Sequence, residues 1–142
     1  MNTSRDIFFS TCQKIAVYFE SHGFRAIEKC QRLKKTSIDK DLTFEIYFQS
    51  SVMNKKECVA FIPQVHIFSK KVKEQIREKT KNPHEKGYIG GGNIGNISNL
   101  KKWTEWTITP KNQDRVVKEV IKMLEKFALP LFARFESNKK DF

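Results

Sequence analysis

Long apolar runs are missing from this 142-residue sequence. A membrane-spanning helix needs roughly 20 consecutive apolar residues, and no stretch approaches that. Ile7-Phe8-Phe9 is far too short for the apolar region of a signal peptide. Cysteine is scarce as well, with three residues (Cys12, Cys30, Cys58) and no CxxC pair. An odd, unpaired count points to free thiols in a reducing cytoplasm and away from a disulfide framework. Without a secretory route the sequons at Asn2 and Asn96 carry no meaning. The three histidines (His22, His66, His84) are scattered, and no His/Cys/Asp spacing suits zinc or a nucleophilic site. The expectation is therefore a protein that is not an enzyme, with no catalytic residues, no metal site, no cofactor and no membrane association.

Negative charge is also in short supply. Sixteen Asp and Glu face 27 Lys and Arg, a formal net charge of +11. Such a field favours anionic partners, and it equally serves solubility. Glycine is rare outside one window, since five of the six fall between residues 81 and 99.

What is present suffices for one core. Twelve phenylalanines and 39% apolar residues argue against disorder, and the length is that of a single domain over 1–142. Phe8, Cys12, Ile15, Ala16 and Phe19 recur at helical spacing, with Asn2, Thr3 and Ser4 as cap candidates and Gly23 as a stop. Residues 24–35 are loosely patterned, around Ile27 and Leu33, and are predicted as one strand, followed by a polar turn over 36–41. Residues 42–50 alternate cleanly, with Leu42, Phe44, Ile46 and Phe48 on one face and Glu45, Tyr47 and Gln49 on the other. After a loop over 50–56, residues 58–68 form a second strand with Val59, Phe61, Val65 and Ile67 on one face. Pro63 within it implies an edge or a bulge. A helix capped by Ser69 runs to about Thr80, a loop fills 81–99, and 102–109 is a strand ended by Pro110. The last helix starts near Asp114 with Val117, Val120, Ile121, Leu124, Phe127 and Ala128 on its apolar face, is bent or restarted at Pro130, and ends in a frayed tail at 137–142. Strands and helices are segregated, so the class is α+β: an N-terminal helix, an antiparallel sheet of about four strands, and C-terminal helices packed on one face.

Four features invite a functional reading. Gly90, Gly92 and Gly95 satisfy G-x-G-x-x-G, yet neither a buried strand nor an apolar helix is predicted around them, so a dinucleotide site is not expected. A mobile or tightly turned loop around Gly90, Gly91 and Gly92 that meets a partner is the expectation instead. Lys70, Lys73 and Arg77 share one face of the 69–80 helix, as Arg115, Lys118, Lys122 and Lys126 do on the last one; a solvated face is the plainer reading, because acids flank both stripes. Tyr47, Trp103 and Trp106 are ring candidates for a protein interface or for base stacking. Glu45, Gln49 and His66 are the one conceivable polar set for an enzyme acting on a small anionic substrate, with Gln49, Ser50, Ser51 and Asn54 reading as turn chemistry at the strand end.

Gly23-Phe24 after the first helix, FEIYFQSS over 44–51 with Asn54, the pair Trp103 and Trp106, and Leu129-Pro130-Leu131-Phe132 together resemble a group of uncharacterised bacterial α+β domains of unknown function. The resemblance implies the fold and supplies no mechanism. Some small bacterial domains of similar build serve as immunity proteins beside toxins, although a charge of +11 suits poorly the masking of a basic nuclease. The expected function is a non-enzymatic cytosolic binding module, working through a protein partner or self-association. Nucleic-acid binding of modest specificity is the alternative.

Overall fold

The structure, a computed structural model, describes residues 3–51 and 58–138. The expected loop position Asn54 and the tail beyond residue 138 lie outside these. The chain runs α1 (Ser4–Glu20), β1 (Arg25–Ile27), β2 (Arg32–Thr36), β3 (Leu42–Ser50), β4 (Val59–Ser69), α2 (Lys70–Thr80), β5 (Tyr88–Asn93), α3 (Ile94–Ile97), β6 (Trp106–Ile108) and α4 (Gln113–Met123). A π-helical segment (Leu124–Ala128) then leads into α5 (Leu129–Asn138). The class is α+β, with six strands, all paired antiparallel, in the order β1-β2-β3-β4-β5, and β6 added beside β4.

Local chemistry explains the boundaries. Thr3 accepts from the Asp6 amide while the Asp6 carboxylate accepts from the Thr3 amide, a reciprocal cap for α1. Residues 24–35 are two strands rather than one. Glu28, Lys29 and Cys30 all take positive φ (53°, 56° and 67°), which folds the chain back into a hairpin that hydrophobic spacing does not reveal. Ser69 caps α2 by accepting from the Val72 amide, and its own hydroxyl donates to Asp41.

Pro63 is not on an edge strand. β4 is central, paired with β3 from Phe61 to Ser69, but its other side is shared: β6 pairs with Val59–Phe61 and β5 with Gln64–Phe68. Opposite Pro63, Phe48 directs its amide away from β4, to the Gln31 carbonyl. The pair is therefore a non-hydrogen-bonded one, and the position of Pro63's missing N–H falls in the gap between β6 and β5.

The largest correction concerns 81–99. The glycine segment is not a loop: it is strand β5 followed by the single turn α3. Gly90 lies under the Phe135 ring, where a Cβ would come within 2.8 Å, and Gly91 lies against the Val65 carbonyl with φ 123°. The glycines let β5 approach β4 and α5 closely, and that is their use. The first two glycines of the G-x-G-x-x-G pattern thus lie inside a strand and not in a turn after one, and Gly95 is packed under Thr104 and the Lys102 carbonyl. No phosphate could reach it. The expected strand at 102–109 contracts to three residues, and Ser137 and Asn138 belong to α5.

The helices α1, α4 and α5 cover one sheet face. Ile15, Phe19, Phe48, Phe61, Ile67, Val120 and Leu124 are among its buried side chains, each worth about 1.5–3 kcal/mol of burial. Phe44 stacks on Phe132 at 4.9 Å, and Phe48 on Phe61 at 5.0 Å. At Pro130 the helix is continued through the π segment, where the Leu129 amide donates to the Leu124 carbonyl five residues back. The extra residue of that wider turn sits directly before the proline. Among the described residues the other sheet face carries no such cover, and only α2 flanks it.

Candidate functional site

The site is built by strand alternation. Leu33, Ile46 and Val65 pair across β2, β3 and β4 on the covered face. Their neighbours Lys34, Glu45 and His66 pair in the adjacent row, which faces away from the helices, and Arg32, Tyr47 and Gln64 form the next. The register places on one open surface what the sequence separates by 34 residues.

Glu45 is the centre of that surface. Its side chain is 2% exposed, and a carboxylate so enclosed must be paired. Arg32 Nη1 lies 2.9 Å from one oxygen, His66 Nδ1 lies 2.8 Å from the other, and Lys34 Nζ stands at 3.9 Å. Burial by itself would raise the carboxyl pKa, but the hydrogen bonds from His66 and Arg32 outweigh it and hold Glu45 below the ordinary carboxylate value. Arg32 also donates through Nε to Glu28 at 2.7 Å, and its guanidinium lies 4.3 Å from the Tyr47 ring centroid. Against the desolvation that lowers it, these carboxylate bonds raise the Arg32 pKa.

Two adjoining hollows open over this centre. One, of about 400 Å³, lies between β2–β3 and α2, and its cationic lining is Arg32, Lys34, Lys73, Arg77 and Lys86. The other, of about 290 Å³, is walled by Tyr47, His66, Phe68 and Tyr88. Both share Arg32, Glu45, Phe68 and Lys86. α2 is held over the cleft by Asp41, which accepts from the Lys71 amide, and by Arg77, whose Nε donates to the Glu85 carbonyl at 3.0 Å. Gly87, at φ 78°, sits where a Cβ would strike Lys73 of α2, so the chain after the helix can pass beneath it.

Of the residues singled out in the sequence, Tyr47, Lys73 and Arg77 meet in this cleft, whereas Lys70 stands exposed at the first turn of α2 and outside its lining. Glu45 and His66 are in contact, while Gln49 is bonded instead to Gln64 at 3.2 Å. Gly90, Gly91 and Gly92 are strand backbone. Trp103 is 52% exposed. Trp106 lies on the covered face, its indole Nε1 donating to Glu119 on α4 at 2.9 Å. There it lines an apolar groove of about 290 Å³ with Leu100, Met123 and Phe127, flanked by Lys122 and Lys126. Arg115 pairs with Glu119. Arg32, Lys86 and Tyr88 were not foreseen; the alternation Arg32-Leu33-Lys34 was the one available signal for the first.

Among the described residues no group of three or more His, Cys, Asp or Glu side chains is placed to hold a metal ion, and no helix is long and apolar enough to cross a membrane. Cys12, Cys30 and Cys58 are all free thiols, and burial pushes the Cys12 thiol well above its usual pKa.

No curated protein and no solved structure matches the chain. A family model described as a domain of unknown function (DUF4304) matches residues 15–134, a span that takes in every residue of the cleft, and the chain belongs to that family.

Proposed function

We propose that the domain is a non-enzymatic, cytoplasmic binding module that takes a small anionic ligand in the cleft on its open sheet face. One observation carries the reading: five cationic side chains line the larger hollow against three carboxylates, Glu28, Glu45 and Glu85. Each of those carboxylates already accepts from the protein, Glu28 from Arg32, Glu45 from Arg32 and His66, and Glu85 from the Gly87 amide. No carboxylate among the described residues lies within salt-bridge distance of Lys73, Arg77 or Lys86. The ammonium groups of Lys73 and Lys86 and the terminal nitrogens of Arg77, whose Nε is taken by the Glu85 carbonyl, are left for a ligand. Glu45 supports binding over acid–base chemistry, because a general acid or base at neutral pH needs a carboxyl raised toward 7, and this one is held the other way. The three free thiols support a reducing compartment.

Thermal shift with tripolyphosphate at low and high salt tests this. Tripolyphosphate should raise Tm at low salt, and the gain should vanish in the double variant Lys73→Ala/Arg77→Ala. No gain at low salt, or a gain that survives the double variant, removes the reading.

A second reading is favoured by the groove at Trp106, Met123 and Phe127 beside exposed Leu100 and Trp103. An apolar surface of this kind suits a protein partner or a second copy of the chain. Light scattering at rising concentration should show a dimer that Phe127→Lys dissociates; a monomer throughout removes self-association.

A further inference from the structure

The two hollows differ in chemistry, and their order along the cleft specifies a ligand. One end is made of rings. The His66 imidazole lies 6.4 Å from Tyr47 at an interplanar angle of 27° and 5.9 Å from Tyr88 at 72°, and Phe68 lies 6.0 Å from Tyr88. His66 thus forms a floor with a tyrosine on either side. Tyr88 is 50% exposed, a large ring left open on a sheet face that already gathers three others. The other end is made of cations from α2 and the segment after it, Lys73, Arg77 and Lys86, with Lys34 beneath. Lys86 lines both hollows and stands at their junction.

Resting on the anion-binding reading above, we infer that the ligand is a free nucleoside phosphate, its base over His66 between Tyr47 and Tyr88 and its phosphates on Lys73, Arg77 and Lys86. A simple anion gives the ring end nothing to do. A flat aromatic hydrocarbon gives the cations nothing to do. A nucleotide uses both, because every base has a π-face for an aromatic platform and every phosphate suits an unpaired ammonium or guanidinium. Hollows of about 400 and 290 Å³ that share four residues are of a size with small-ligand sites, not with an extended groove. The Arg32 guanidinium, held by Glu28 and Glu45 with its centre 4.3 Å from the Tyr47 ring centroid, adds a cation to that end.

Isothermal titration of the whole chain with ATP, dTTP, tripolyphosphate and decathymidylate separates the cases, at about 50 mM salt, where phosphate contacts are strong. ATP should bind about tenfold or more tighter than tripolyphosphate, the margin a stacked base provides. Tyr88→Leu should erase that margin without changing tripolyphosphate affinity, and Tyr88→Phe, which keeps the ring, should restore it. Lys73→Ala/Arg77→Ala should weaken both ligands. Equal affinity for ATP and tripolyphosphate, both weakened by the double variant, overturns the nucleotide and leaves the anion reading standing. Binding of neither sinks both. Decathymidylate binding about tenfold tighter than dTTP overturns the free nucleotide in favour of a single strand.

Discussion

The two faces of β3 differ by one step along the chain and by everything in their surroundings. Phe44, Ile46 and Phe48 are enclosed by helices, and Phe48 meets Phe61 ring to ring. Glu45 and Tyr47, between them, meet Arg32, His66 and open cleft. On the covered face these three side chains meet apolar partners that are interchangeable in kind, so the face specifies stability. The open face holds a buried carboxylate enclosed by Arg32, Lys34 and His66, which is an expensive way to gain stability and a good way to hold side chains in fixed positions. The difference teaches where to look for function in a fold that offers no catalytic motif: on the face whose ordering is costly.

The comparison breaks first at Phe48. Phe48→Ala should cost about 3–5 kcal/mol, by lost burial plus a cavity beside the Phe61 ring. Tyr47→Leu, its open-face neighbour, should cost a small fraction of that and should instead impair ligand binding. Chemical denaturation of the two variants measures this, and a larger loss at Tyr47 would reverse the assignment of faces.

Gly91 sharpens the contrast at the edge of the same sheet. It pairs with His66, takes φ 123°, and a Cβ there would run into the Val65 carbonyl. Gly91→Ala should cost about 2 kcal/mol or more, and amides across Gly90–Gly95 should exchange slowly in the isolated protein. A neutral substitution with fast exchange would return this segment to the mobile loop that its composition suggests.

That segment shows why only part of the molecule was legible in the sequence. β3 was readable to the residue because alternation writes its two faces in side chains. β5 was not, because three consecutive glycines have no hydropathy to alternate; its strand character lies in backbone pairing with β4. The hairpin at Glu28–Cys30 was hidden for a related reason, since left-handed φ at three non-glycine residues has no composition signature. Half the cleft could be placed by parity, as Glu45, Tyr47 and His66 were. Arg32, Lys86 and Tyr88 could not, because the register of β2 and the course of the chain after α2 are long-range facts.

Glu45→Gln should cost less stability than Phe48→Ala or Gly91→Ala and tell the most. Glutamine keeps the shape and can still accept from one partner, while Arg32 keeps Glu28 and both Arg32 and His66 retain some solvent. The loss near neutral pH should therefore be about 1–2 kcal/mol, well below that for an ion left wholly unpaired. Its pH dependence is the diagnostic. The folded-state pKa of Glu45 lies below the ordinary glutamate value of about 4.5, so the folded state holds the carboxylate more readily than the unfolded chain does. That contribution is complete above the unfolded pKa and drains away as pH falls through the folded one. The carboxylate's share of the stability difference between wild type and Glu45→Gln should thus shrink as pH falls below about 4.5. Urea titrations at a series of pH values measure it. A difference that grew on acidification would mean that burial, not Arg32 and His66, governs this carboxylate, and the open face would then hold a group poised to give up a proton rather than one fixed as an anchor for its cations.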